Sequence, residues 1–157
     1  MNDADDFEQL WRTHFASVAR TAFLIVGDAE EASDISQEAF VRALQHWRKV
    51  GKLEKPEGWV HRVATNLALS WRRRKAPVAP ERRASEPATE PPDDELLTAL
   101  MSITPQQRAV VALRFYLDWS VEDVATALHK RPGTVRALTS QGIERLREAL
   151  TKESQHG

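Results

Sequence analysis

The chain has 157 residues, 41% hydrophobic and 29% charged, with no cysteine and a formal net charge of −1. That balance excludes a disordered polymer, a disulfide scaffold and a thiolate metal site. No apolar run reaches the roughly 18 residues of a membrane span, and the acidic start Met1–Asp6 lacks the cationic and apolar parts of a secretory signal. The near-zero charge hides a strong unevenness. Residues 59–75 carry five basic side chains and no acid, while residues 1–58 carry seven basic against eleven acidic. Basic charge gathered on particular helices points to local nucleic-acid contact and not to a uniformly sticky surface.

The apolar period is helical throughout, with no strand or hairpin signal, so the fold class is all-α. The first helix repeats Phe7, Leu10, Trp11, Phe15, Val18, Ala22 and Ile25 at three- and four-residue steps, and Gly27 stops it. Asp28 and Glu31 form a capping-box pattern that opens a second helix. Its buried face is expected to be Ala32, Ile35, Ala39, Ala43, Leu44 and Trp47. A polar loop, Arg48 to Lys55, leads to Pro56 at a first helical turn. The third helix should bury Val60, Val63, Ala64, Leu67 and Trp71 before running into Arg72-Arg73-Arg74-Lys75.

Residues 76–93 are rich in Pro, Ala, Ser and Glu and have almost nothing to bury, which predicts a flexible linker. It divides a domain of residues 1–75 from one of residues 94–153. The second domain starts with a short helix, Asp94 to Met101. Thr104-Pro105-Gln106-Gln107 then supplies an N-cap, a first-turn proline and a capping-box glutamine, for a helix holding Val110, Val111, Leu113, Phe115 and Leu117. Ser120 and Asp123 cap a shorter helix with Val121, Val124, Ala125 and Leu128 on one stripe. The turn His129-Lys130-Arg131 leads to Pro132 and a final helix ending near Thr151.

A short helix, a tight turn and a longer basic helix is the helix-turn-helix pattern. At 100° per residue, Val135, Leu138, Thr139, Gly142, Ile143, Leu146 and Leu150 fall on the inward arc of the last helix. Gly133, Arg136, Ala137, Ser140, Gln141, Glu144 and Arg147 fall on the outward one. Short side chains there permit close approach to base edges, Arg136 and Gln141 can make bidentate hydrogen bonds, and Ala137 can meet a thymine methyl. The first-turn N–H groups of Gly133 and Thr134, with Lys130, Arg131 and Arg145, suit backbone phosphates. Pattern alone leaves a second reading equally open, a capped amphipathic hairpin in a small bundle with a solvated charged face.

Two segments taken together resemble the extracytoplasmic-function (group 4) sigma factors of bacterial RNA polymerase. Asp34-Ile35-Ser36-Gln37-Glu38-Ala39-Phe40 is similar to the core of their region 2, followed by Pro56-Glu57-Gly58-Trp59, Val63–Ala68 and an arginine cluster. Leu100, Thr104–Val110, Leu113-Arg114-Phe115, Ser120–Ala125, Gly133-Thr134-Val135-Arg136 and Arg145-Leu146-Arg147 are similar to region 4. The wording of Arg20–Leu24 and Gly27-Asp28 is similar to a subgroup common in actinobacteria.

The resemblance implies a region 2-like bundle and a region 4-like helix-turn-helix. It implies core RNA polymerase and promoter DNA as partners, with an anti-sigma factor as a further one, and cytoplasmic work without membrane insertion. It makes Asp34, Gln37, Glu38 and Phe40 the polymerase-binding set. It assigns −10 capture and melting to the loop His46–Gly58 with Trp47 and Trp59, and to Arg62, Thr65, Asn66 and Arg73 on the third helix. The −35 element falls to Lys130, Arg131, Gly133, Thr134, Arg136, Ala137, Ser140 and Gln141. Position 137 is often serine in the family and 141 often arginine, so the preferred −35 sequence departs from the common one. Arg131-Pro132 stands where Ser-Val is more usual.

The five histidines lack metal-ligand spacing, and no nucleophile or phosphate-loop motif is present, so neither enzyme activity nor a cofactor is expected. The competing function is a helix-turn-helix regulator that acts without joining polymerase. The Gln-Glu helix argues against it.

Overall fold

The computed structural model describes residues 2–74 and 94–156, and the side chains of 72–74, 94 and 153–156 lie outside that description. The segment expected to be the linker, residues 76–93, lies outside the described residues. The chain divides into two compact units, residues 1–75 and 76–157, each helical, with no strand among the described residues. No described helix is long and apolar enough to cross a membrane.

The first unit packs α1 (Asp3–Val26), α2 (Ala29–Gln45) and α4 (Pro56–Arg74) against one another in all three pairings, with a one-turn α3 (Trp47–Val50) on α2. The Asn2 side chain accepts from the Ala4 N–H at the start of α1, and Gly27, at φ 74°, closes it in a left-handed conformation. The Asp28 carboxylate accepts from the N–H groups of Glu30 and Glu31 and starts α2. Leu10, Val18, Ala22, Ile25, Ile35, Ala39, Ala43 and Val60 are buried between the helices. Val50 is also fully buried, so the predicted loop contains a structured turn that plugs the core.

Two expected buried faces are shifted. Leu44, expected in the core, is 53% exposed. On α4 the buried residues are Val60, His61, Ala64, Thr65, Ala68 and Leu69, whereas Val63, Leu67 and Trp71 are only half-buried. The reason is packing on two sides. α4 lies against both α1 and α2, so a wide arc of its circumference is covered, and the small Ala64 and Ala68 let neighbours come close.

The second unit is built on α8 (Pro132–His156), which extends beyond the expected end at Thr151 and packs against α5 (Asp94–Met101), α6 (Pro105–Val111) and α7 (Val121–Leu128). Thr104 and Gln107 form the reciprocal capping box of α6, each backbone N–H donating to the other's side chain at 3.1 Å. Arg108, 2% exposed, donates from Nη1 to the carbonyls of Leu100 and Ile103 and so satisfies the end of α5. α6 passes into a π-helical turn, Ala112–Tyr116, in which the Leu117 N–H reaches back five residues to the Ala112 carbonyl. That wide turn shifts the helical register along its own length. Phe115, expected on the buried stripe, is 59% exposed, and its neighbour Tyr116 is exposed as well.

Candidate functional site

The helix-turn-helix is assembled from local chemistry. Ser120 Oγ accepts the Asp123 N–H and opens α7. α7 ends in a Schellman arrangement: His129 takes a left-handed φ of 55°, its N–H reaches Thr126, and the Lys130 N–H donates to Ala125 at 2.9 Å. This sharp reversal sets the start of α8 against α7. Val135 is fully buried, while Gly142 brings α8 close to α6. A Cβ on Gly142 would stand 3.2 Å from Val111 Cγ2 and 3.4 Å from Gln107 Cβ.

With its inner face fixed, α8 presents Gly133, Thr134, Arg136, Ala137, Ser140 and Gln141 to solvent, together with Glu144, Arg145 and Arg147, and Arg131 is exposed in the turn just before it. Lys130 is half-buried in the turn. A Cβ on Gly133 would meet nothing within 4 Å, so the first turn is open to an approaching backbone. An arginine side chain cannot cap N–H groups, and the proline has none. The N–H groups of Gly133 and Thr134 therefore remain as donors at the positive end of the helix dipole. Arg136 Nη2 lies 3.8 Å from Glu122 Oε1 at the start of α7, a contact between helices that periodicity along one helix cannot reveal.

In the first unit, Asp34, Gln37 and Glu38 are exposed along α2, and Glu38 pairs with Arg42 at 3.0 Å. Phe40 is not part of that surface. It is fully buried, with ring centroids 4.9 Å from Trp11, 5.8 Å from Phe15 and 6.4 Å from Phe7. Its assignment to polymerase contact is corrected to core, because position 40 turns towards α1 once Ala39 and Ala43 do. The apolar members of the exposed face are Val41 and Leu44, 45% and 53% exposed. They were legible, since positions 34, 37, 38, 41 and 44 follow helical spacing on one side.

Trp47 and Trp59 have different settings. Trp47 faces inward, its ring 5.4 Å from Phe7, and its indole leaves no room for a side chain on Gly51. It is a wall of the aromatic cluster, so the base-capture role fits it poorly. Trp59 is half-buried beside His46, with ring centroids 6.2 Å apart, at the end of the basic loop that carries Arg48, Lys49, Lys52 and Lys55. Arg62 and Asn66 are partly exposed on the same side of α4 as Trp59. Thr65 is fully buried and is corrected from DNA contact to core, since packing against both α1 and α2 buries a wider arc of α4 than its apolar stripe. Arg73 lies in the backbone of α4, but its side chain is outside the described residues. His61, assigned no role from sequence, is buried with Ser17 Oγ 3.5 Å from its Nε2. Burial, reinforced by nearby His14, lowers its pKa to about 4.

Among the described residues no cluster of three or more His, Asp or Glu is placed to hold a metal ion.

The sequence comparisons agree with this two-unit arrangement. Residues 10–77 match the family Sigma-70 region 2, and residues 93–146 match Sigma-70, region 4. The RNA polymerase sigma-E factor of Streptomyces coelicolor is 32% identical over 157 residues, covering 96% of this chain and 89% of that one. The ECF RNA polymerase sigma factor SigL of Mycobacterium tuberculosis is 31% identical over 153 residues, with 90% and 86% covered. SigE of Mycolicibacterium smegmatis is 32% identical over 164 residues, and the chain spans 63% of its length. Among solved structures, the sigma factor RpoE in complex with the anti-sigma factor NepR from Bartonella quintana matches with a TM-score of 0.72. At 20% identity over 93% of this chain and 97% of that one, it bears on the fold alone. The chain belongs to the extracytoplasmic-function group of the sigma-70 family of RNA polymerase sigma factors.

Proposed function

We propose that the chain is a promoter-specificity subunit that joins core RNA polymerase, reads a −35 duplex with α8 and opens the −10 element with the α4 side of the first unit. The observation that carries this reading is the outer face of α8. Its first three turns expose Arg136, Ala137, Ser140 and Gln141, with open N–H donors and cationic Arg131 at the entrance. Gln and Arg supply bidentate hydrogen bonds, and Ala and Ser keep the helix axis close to the base edges.

In this reading the exposed strip of Asp34, Gln37, Glu38, Val41 and Leu44 binds polymerase, as an apolar pair with a polar rim does at protein interfaces. Arg62, Asn66 and Trp59, with the basic loop before them, face the melted strand, and Trp59 offers the stacking surface. The domain limits of 1–75 and 94–153 serve this division of labour. The chain performs no catalysis itself and works in the cytoplasm, where polymerase is. It takes an anti-sigma factor as a further partner, as the family resemblance implies.

The test is association. Mixed with core polymerase, the chain should co-elute on gel filtration as a one-to-one complex, and Leu44→Asp should abolish that at an unchanged unfolding temperature. A wild-type chain that stays separate from polymerase at micromolar concentration contradicts the proposal.

A further inference from the structure

Glu122 and Arg136 belong to different helices of the helix-turn-helix, and their carboxylate and guanidinium are brought to 3.8 Å. The approach follows from side-chain direction. A long side chain on a helix leans towards the N-terminus, so Arg136 reaches back over the first turn of α8 and towards the start of α7. Glu122 lies in the first turn of α7, behind the Ser120 cap, which fixes its backbone. Both side chains are well exposed, at 62% and 70%, so the pair adds little to folding. Its consequence lies in what Arg136 is free to bind.

We propose that Glu122 is a specificity-determining residue that holds Arg136 for a base edge and away from backbone phosphate, an inference that rests on the reading of α8 as the duplex-reading helix. A solvated arginine on this face would bind any phosphate within reach, because that attraction is independent of sequence. A carboxylate alongside offsets part of the charge and so lowers phosphate affinity. At 3.8 Å it makes no hydrogen bond to the guanidinium, and its attraction alone biases the orientations of the long side chain. The N–H donors of Arg136 stay available as the fork that matches guanine O6 and N7. A mismatched base then leaves Arg136 with its intramolecular partner, so a wrong site gains nothing from it. Glu122 also benefits the N-terminus of α7 as an acidic first-turn residue, but that role alone leaves base preference untouched.

The experiment uses the full chain assembled with core polymerase and a set of duplexes varied through the −35 element. Wild type, Glu122→Gln, Arg136→Ala and the double variant are compared. Glu122→Gln should strengthen binding to unrelated duplex about two- to threefold and flatten the base preference at the position set by Arg136 at least threefold. The salt dependence on unrelated duplex should steepen by about 0.9 in log–log slope, the value for one further phosphate contact. In the Arg136→Ala background the same substitution should leave base preference unchanged. An intact base preference in Glu122→Gln overturns the proposal, as does an equal gain in affinity with and without Arg136. If wild type shows no −35 preference at all, the reading of α8 fails and this inference fails with it.

Discussion

The hydroxyl of Ser17 on α1 lies 3.5 Å from Nε2 of His61 on α4, at a helix interface where His61 is 4% exposed. Burial disfavours the imidazolium, with His14 adding repulsion, and the pKa falls to about 4 from the ordinary 6.5. The unfolded chain therefore takes up a proton at His61 before the folded one does. Stability of the first unit should be full above pH 6.5 and decline as pH drops towards 4, by about 2 kcal/mol at pH 5. Thermal unfolding of wild type and His61→Asn between pH 7.5 and 4.5 measures this. The wild-type curve should fall more steeply, and parallel curves would show that His61 contributes nothing.

Phe40 and Val41 are adjacent yet opposite in role. Phe40→Ala should destabilise the first unit by about 3–5 kcal/mol, since it empties the centre of the Phe7–Trp11–Phe15 cluster. Val41→Asp should leave stability within about 0.5 kcal/mol while weakening polymerase association at least tenfold. Denaturant unfolding and polymerase titration on the two variants separate the effects. The reverse pattern would mean that α2 is rotated from the orientation described.

The close contact of Gly142 with Val111 limits what α8 tolerates. Gly142→Leu should cost the second unit about 1–3 kcal/mol, because α8 must move off α6 or strain its side chain. Its base preference should persist at temperatures where the variant is folded. A stabilising effect would contradict the packing.

His129 holds a left-handed backbone that glycine adopts more readily. His129→Gly should stabilise the second unit by up to about 1 kcal/mol, visible as a rise in its unfolding temperature. A fall would indicate that the exposed imidazole has a partner in folding.

Much of this architecture can be read from the sequence where the chemistry is local. Asp28, Thr104 with Gln107, and Ser120 announce their helix starts because each cap is made within three residues. The inner and outer arcs of α8 are equally legible, since one helix face meets one core. The hidden features depend on tertiary neighbours. α4 is covered on two sides, so His61 and Thr65 are buried despite their polarity. Phe40 is buried because Phe7, Trp11 and Phe15 of α1 cover its side of α2. The π-helical turn inserts one residue into the register, and nothing in the residues Ala112–Tyr116 marks it beforehand.

Whether this chain directs initiation at chosen promoters is decided by transcription with core polymerase from a library carrying randomised −35 and −10 elements. The expected result is start sites only when the chain is present, with enriched −35 and −10 motifs, and Arg136→Ala reducing −35 discrimination by about 1–3 kcal/mol at one position. Folded protein that adds no start sites above polymerase alone would contradict a promoter-specificity role.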